Sequence, residues 1–287
     1  MQPIPSYQIM KDPTLNQKLI VDGYVTLPVL SESEIEDFKL LYKKWHPTDP
    51  EAFYKSYFSS NREYKQEVEN AIIEGFKKTL EDHFVDYKAF GGMFVVKPKG
   101  ENGQIPPHQD WSFVDETTNW SLNAWCPLID TTGENGNIQM LPGSHLFRDT
   151  VRGSGTPEHY RNLYDKIQAD VVDVPLKAGE CVFFYHGILH CSTFNNNDEA
   201  RVVLGLSMVE KDAPLHYHFL KDGAEFADRY LISNTDFYMD YVDHRGEEPE
   251  NMEFVGKDDH RSELISLDSY EQLKQEHASL RQVQIAY

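Results

Sequence analysis

Residues 107–145 read PHQDWSFVDETTNWSLNAWCPLIDTTGENGNIQMLPGSH, and residues 185–206 answer them with YHGILHCSTFNNNDEARVVLGL. In His108-Gln109-Asp110 an imidazole and a carboxylate stand two residues apart, and Pro106-Pro107 before them favours extended chain. On a strand both side chains face one way. A second imidazole from a distant strand, with His190 the better candidate and His186 its competitor, completes a two-His, one-carboxylate face. That face leaves positions open on a bound metal. It suits non-haem Fe(II), whose open positions take a bidentate co-substrate and O2, whereas structural zinc prefers a fourth protein ligand. Alone, His-x-Asp is a short string that arises by chance in many chains.

Arg201 adds weight. It opens the apolar run Val202-Val203-Leu204, and an arginine starting a buried strand needs a partner that matches its planar fork. A carboxylate held bidentately is one such partner, and a salt bridge to a structural acid such as Asp198 is the alternative. His190 and Ser192 are also two apart, so a strand presents the hydroxyl beside the imidazole. A dicarboxylate lying between the metal and Arg201 fits this arrangement.

HQD, then SLNAWCPLID, then ENG and LPGSH, then His-x-Ser followed by Arg201, resembles the phytanoyl-CoA dioxygenase family of Fe(II)/2-oxoglutarate oxygenases. The ordered match runs from Gly92 to about Met208, and GYVTLPVLSESEIEDF extends a looser likeness back to Gly23. The resemblance implies a mainly β fold with flanking helices around a double-stranded β-helix, the jelly-roll core of cupin-like proteins. It implies His108, Asp110 and His190 as iron ligands and catalytic residues, and 2-oxoglutarate contacts from Met93, Gln109, Trp125, Ser192 and Arg201. Asn123, two residues before Trp125, shares its strand face and joins that pocket. The activity implied is hydroxylation of a small organic molecule with Fe(II), 2-oxoglutarate and O2, releasing succinate and CO2. Desaturation, epoxidation or ring closure follows from the same hydrogen abstraction. A non-catalytic cupin-like binding protein is the rival class, and a zinc hydrolase would leave Arg201 without a role.

Composition sets further bounds. The 287 residues hold 27 Lys+Arg against 47 Asp+Glu, a net charge of −20, which repels nucleic acid and anionic membrane surfaces. It also weighs against a polyphosphate-bearing acyl-CoA, as does the sparse basic content before the HQD stretch, where Lys97 and Lys99 look like an exposed loop pair. A small polar metabolite is the expected substrate. Cys126, Cys181 and Cys191 lie in apolar strand-like segments and read as reduced core residues of a cytoplasmic protein. No secretion signal or membrane-spanning run is apparent.

Working outward, residues 20–30 alternate as a short strand, and Ser31 to Glu34 supplies a capping box for a helix with Ile35, Phe38 and Trp45 on one face. A second helix over 63–84 carries Val68, Ile72, Phe76 and Leu80. Phe53, Tyr54, Tyr57 and Phe58 are expected to pack in the core rather than line a substrate entrance. Strands follow at 90–97, 120–129, 171–174 and 181–185. Thr156-Pro157 reads as the start of a short helix with Tyr160, Leu163 and Ile167 inward. Glu134 and His145 are expected to make local hydrogen bonds, and His216 and His218 to face solvent or substrate. One domain is expected over 1–287, with a helical part at 31–85, a core at about 90–220 and an extension at 221–287. That extension covers the site, mediates homodimer contacts or does neither.

Overall fold

A computed structural model describes residues 8–100, 103–147, 151–234, 237, 239–240, 246–260 and 263–285. Six strands form the larger sheet, in the order β1 (Tyr24–Pro28), β8 (Glu180–Tyr185), β5 (Ser121–Pro127), β10 (Arg201–Glu210), β3 (Tyr87–Lys97) and β2 (Tyr54–Lys55). Four more form the smaller sheet, in the order β4 (Ile105–His108), β9 (His190–Ser192), β6 (Ile138–Met140) and β7 (Val172–Val174). All pairings are antiparallel. The two sheets face each other as the expected double-stranded β-helix.

The period-2 geometry of a strand sorts its side chains between two cores. On β3, Phe94 and Val96 face the helices, while Met93 and Val95 face the smaller sheet. β5 divides likewise, with Leu122, Ala124 and Cys126 outward to the helices and Trp125 inward. On β8, Cys181 and Phe183 oppose Val182 and Phe184. Burying each large apolar side chain contributes about 1.5–3 kcal/mol, so a one-residue slip in any of these strands would invert both cores.

Three helices close the outer core: α1 (Pro13–Asp22), α2 (Glu32–Trp45) and α3 (Arg62–His83). Ser31 and Glu34 form the capping box reciprocally at the start of α2. Along α3, Val68, Ile72, Phe76 and Leu80 are buried against the larger sheet. The alternation at 20–30 proves to be a strand from Tyr24 only. Residues up to Asp22 finish α1, which starts where Asp12 caps Thr14 and Leu15 and Pro13 takes the first turn.

The 156–167 segment also departs from expectation. The Thr156 hydroxyl bonds back to Gly153 instead of capping a helix, and α4 (Tyr164–Asp170) begins later, after a 3-10 turn at Arg161–Leu163. Tyr160, Leu163 and Ile167 are nonetheless buried. Beyond the sandwich, β11 (Leu215–Phe219), β12 (Phe226–Ile232) and β13 (Glu253–Asp259) form a third sheet, followed by α5 (Leu267–Ile285). Cys126, Cys181 and Cys191 are buried and unpaired. No described helix is long and apolar enough to cross a membrane.

Candidate metal centre and its cavity

β4 and β9 pair with His108 opposite His190, which sets the two imidazoles side by side with centroids 4.2 Å apart. β4 ends at His108, so Asp110 is not on the strand that the His-x-Asp spacing suggested. Backbone bonds from elsewhere hold it instead. Its N–H donates to the His186 carbonyl at 2.9 Å, and its own carbonyl accepts from Arg152 Nε at 2.6 Å. Asn123 Nδ2 donates to Asp110 Oδ2 at 3.0 Å and fixes the carboxylate plane.

Each imidazole has its tautomer chosen by the backbone. His108 Nδ1 donates to the Pro106 carbonyl at 2.9 Å and His190 Nδ1 to the Ile188 carbonyl at 3.0 Å, so both Nε2 lone pairs are free. Those nitrogens lie 3.9 Å and 3.7 Å from the Asp110 carboxylate. Burial holds His108 down to about 4, with His190 beside it adding to the effect, and burial lowers His190 too. Burial alone would raise Asp110, but the His190 and His108 imidazoles and Lys55 outweigh it and keep the carboxyl below its ordinary range. Two neutral nitrogens and one carboxylate therefore converge at neutral pH. Their ligand atoms lie within 4.8 Å of one another, and this is the one such His/Cys/Asp/Glu cluster among the described residues. The donor set fits a divalent metal with open positions.

These three residues line a cavity of about 510 Å³ together with Met93, Gln109, Asn123, Trp125, Ser192 and Arg201. All nine residues singled out in the sequence thus meet in one space. Arg201 is 2% exposed, donates to the Gly136 carbonyl and lies over the Trp125 ring, 4.9 Å from its centroid. Asp198, the acid named as its alternative partner, pairs instead with Lys99 at 2.5 Å, and among the described residues no Asp or Glu forms an ion pair with Arg201. Gln109 is tethered by its amide N–H to the Gly187 carbonyl. His186 is buried with Nδ1 2.5 Å from Ser121 Oγ, and it stands outside the convergent cluster.

Sequence reading missed other parts of the wall. Phe53, Tyr57 and Phe58 line the cavity with Trp111 and Phe113, so that aromatic cluster is not simply core; Tyr54 packs against His46 and Phe58. Lys55, on the short strand β2, puts a cation into the same wall. Lys97 is fully buried, not an exposed loop residue, and its odd-numbered parity with Met93 and Val95 was the available signal. His218 is buried too, bonded to the Ser112 carbonyl and Asp258, away from the cavity. Glu134 makes the local bond expected, its backbone N–H donating to Thr132 Oγ1 at 3.2 Å, whereas His145 does not bond locally: its Nε2 lies 3.0 Å from the carbonyl of Ile20, which the fold of α1 brings against it.

The fold is similar to that of two solved structures. One is EvdO2 from Micromonospora carbonacea var. aurantiaca, complexed with 2-oxoglutarate, at 20% identity and a TM-score of 0.53 over 73% of this chain and 94% of that one. The other is the epimerase SnoN, in complex with Fe3+, alpha ketoglutarate and nogalamycin RO, at 19% identity and a TM-score of 0.54 over 85% and 97%. In sequence the chain is similar to a phytanoyl-CoA dioxygenase of Arabidopsis thaliana, 32% identical over 42% of this chain and 44% of that protein. It is also similar to phytanoyl-CoA dioxygenase domain-containing protein 1 of Danio rerio, 27% identical over 52% and 53%. The chain spans about half the length of these curated relatives. The phytanoyl-CoA dioxygenase (PhyH) family model matches residues 33–203, which include the convergent His108, Asp110 and His190, and the chain belongs to that family.

Proposed function

We propose that this protein is an Fe(II)- and 2-oxoglutarate-dependent dioxygenase that hydroxylates a small organic molecule with O2, releasing succinate and CO2. One observation carries the reading: a single cavity holds two tautomer-locked imidazoles and a carboxylate together with a buried arginine that has no acidic partner among the described residues. Iron, when bound with its co-substrate, supplies the activation of O2 and the oxidation of a C–H bond. His108, Asp110 and His190 hold the iron. Asn123 keeps the Asp110 carboxylate turned toward it, and Arg201 and Ser192 receive the far carboxylate of 2-oxoglutarate. Met93, Gln109 and Trp125 wall the co-substrate, and the outer aromatics exclude water from the reacting atoms.

The substrate we infer is a small metabolite with a polar group and an apolar face. A cavity of about 510 Å³ must also admit 2-oxoglutarate, which suits a small molecule. Lys55 and Arg201 are the only Lys or Arg among its described lining residues, too few for the phosphates of an acyl-CoA. We further propose one domain and residence in the reducing cytoplasm, which the three buried, unpaired cysteines support. Anaerobic addition of Fe(II) and then 2-oxoglutarate should produce a weak visible charge-transfer band. Succinate release should then respond to a panel of amino acids and small metabolites more than to fatty acyl-CoAs. Iron binding without that band overturns the enzyme reading; coupled hydroxylation of an acyl-CoA alone overturns the substrate class.

A further inference from the structure

Lys97 ends β3 directly opposite Arg201, the first residue of β10, so the sheet register brings two cations to one inward face. Both are buried, Lys97 completely and Arg201 at 2% exposure. Lys97 Nζ donates to Ser192 Oγ at 2.7 Å and to the Thr193 carbonyl, both uncharged acceptors. Arg201 has the Gly136 carbonyl and the Trp125 face, and its Nε has no partner. Among the described residues, no Asp or Glu forms an ion pair with either. Burying both groups in their charged forms without a counter-charge is costly unless an anion arrives, which favours the neutral amine at Lys97 until one does.

The lysine stem is held in a built slot. A Cβ on Gly103 would stand 2.7 Å from Lys97 Cγ, and one on Gly136, at φ +73°, would stand 3.0 Å from Lys97 Cδ and 2.7 Å from the Thr193 carbonyl oxygen. Any larger residue at either position would displace the stem. The Lys97 amino group is thereby aimed at Ser192, whose oxygen accepts its N–H. Its one O–H hydrogen is then free to donate into the cavity that Ser192 lines beside Arg201.

We propose that Lys97 is a positioning residue of the co-substrate pocket: it orients the Ser192 hydroxyl toward the far carboxylate of 2-oxoglutarate and takes up a proton from solvent as that carboxylate binds. This rests on the reading of Arg201 as the receiver of that carboxylate. Burial, then the Arg201 charge, pulls Lys97 down to about 6 in the ligand-free protein. The other titratable group facing it, Cys191 on β9, is pushed up to about 11 by burial and is a neutral thiol at pH 7. At pH 7.5 roughly one Lys97 in thirty is then charged, and a bound anion restores the charge.

The test is calorimetry of the full chain loaded with Mn(II) under argon and titrated with 2-oxoglutarate, in two buffers of different ionisation enthalpy between pH 6.5 and 8.5. The wild type should take up close to one proton per site above pH 7. Its Kd should rise by nearly tenfold per pH unit. Lys97→Met should bind Mn(II) normally, bind 2-oxoglutarate more weakly, take up no proton and show a flat pH profile. Should the variant not fold, the wild-type proton count decides by itself. Binding without proton uptake, or uptake that persists in Lys97→Met, overturns the role of Lys97 and leaves the enzyme reading standing. A protein that holds Mn(II) but takes no 2-oxoglutarate at any pH removes both.

Discussion

Replacing Arg201 by Met keeps most of the side-chain volume and removes the charge, which isolates its contribution to co-substrate binding. In the structure the guanidinium is 2% exposed, so an ion pair made there is screened little by solvent. A carboxylate that loses its charge-assisted partner in such a place forfeits about 3 kcal/mol. At about 1.4 kcal/mol per decade this is roughly a hundredfold rise in the Kd for 2-oxoglutarate. Iron affinity should stay within about twofold, because Arg201 ligates nothing. Stability should change little, since the lost bond to the Gly136 carbonyl and the lost contact with Trp125 are offset by relief of a buried charge. The assay is anaerobic titration of 2-oxoglutarate into the Fe(II) protein, followed by the visible band, with iron content measured in parallel. An unchanged 2-oxoglutarate affinity in a folded, iron-loaded variant would refute the reasoning and leave Arg201 as a structural residue.

His108→Ala, Asp110→Ala and His190→Ala should each lose bound iron and turnover, while His186→Ala keeps iron; elemental analysis after desalting separates the two outcomes, and iron loss in His186→Ala would reassign the third ligand. Asn123→Ala frees one Asp110 oxygen and should weaken iron binding by about 10–100-fold, read by competition with a chelator. Phe183→Ala empties a fully buried site whose ring packs tilted against Phe84 with centroids 4.9 Å apart, and should cost about 3–5 kcal/mol in urea unfolding without altering the metal ligands.

The alternation of Phe94 and Val96 with Met93 and Val95, and of Leu122 and Ala124 with Trp125, was legible because strand parity is a property of the local backbone. The same holds for the Ser31–Glu34 capping box and the stripe along Arg62–His83. Residues 20–22 misled for a physical reason: apolar Ile20 and Val21 beside Asp22 satisfy a short alternation and the end of a helix equally well. At Thr156 the hydroxyl found a closer partner in Gly153 than the helix end it was expected to cap.

By itself the sequence determined which side chains are available for metal and carboxylate, their order, and which face of each strand they take, because these follow from residue chemistry and a period of two. Tertiary structure decided the rest. Asp110 leaves the strand and is aimed by His186, Arg152 and Asn123, and the imidazole tautomers are set by the carbonyls of Pro106 and Ile188. Lys97 becomes a buried partner of Ser192, and the aromatic pair Phe53 and Phe58 comes to the cavity wall, only because distant segments are brought together. Contacts of that range depend on sheet register and on how the two sheets close, which no local spacing encodes.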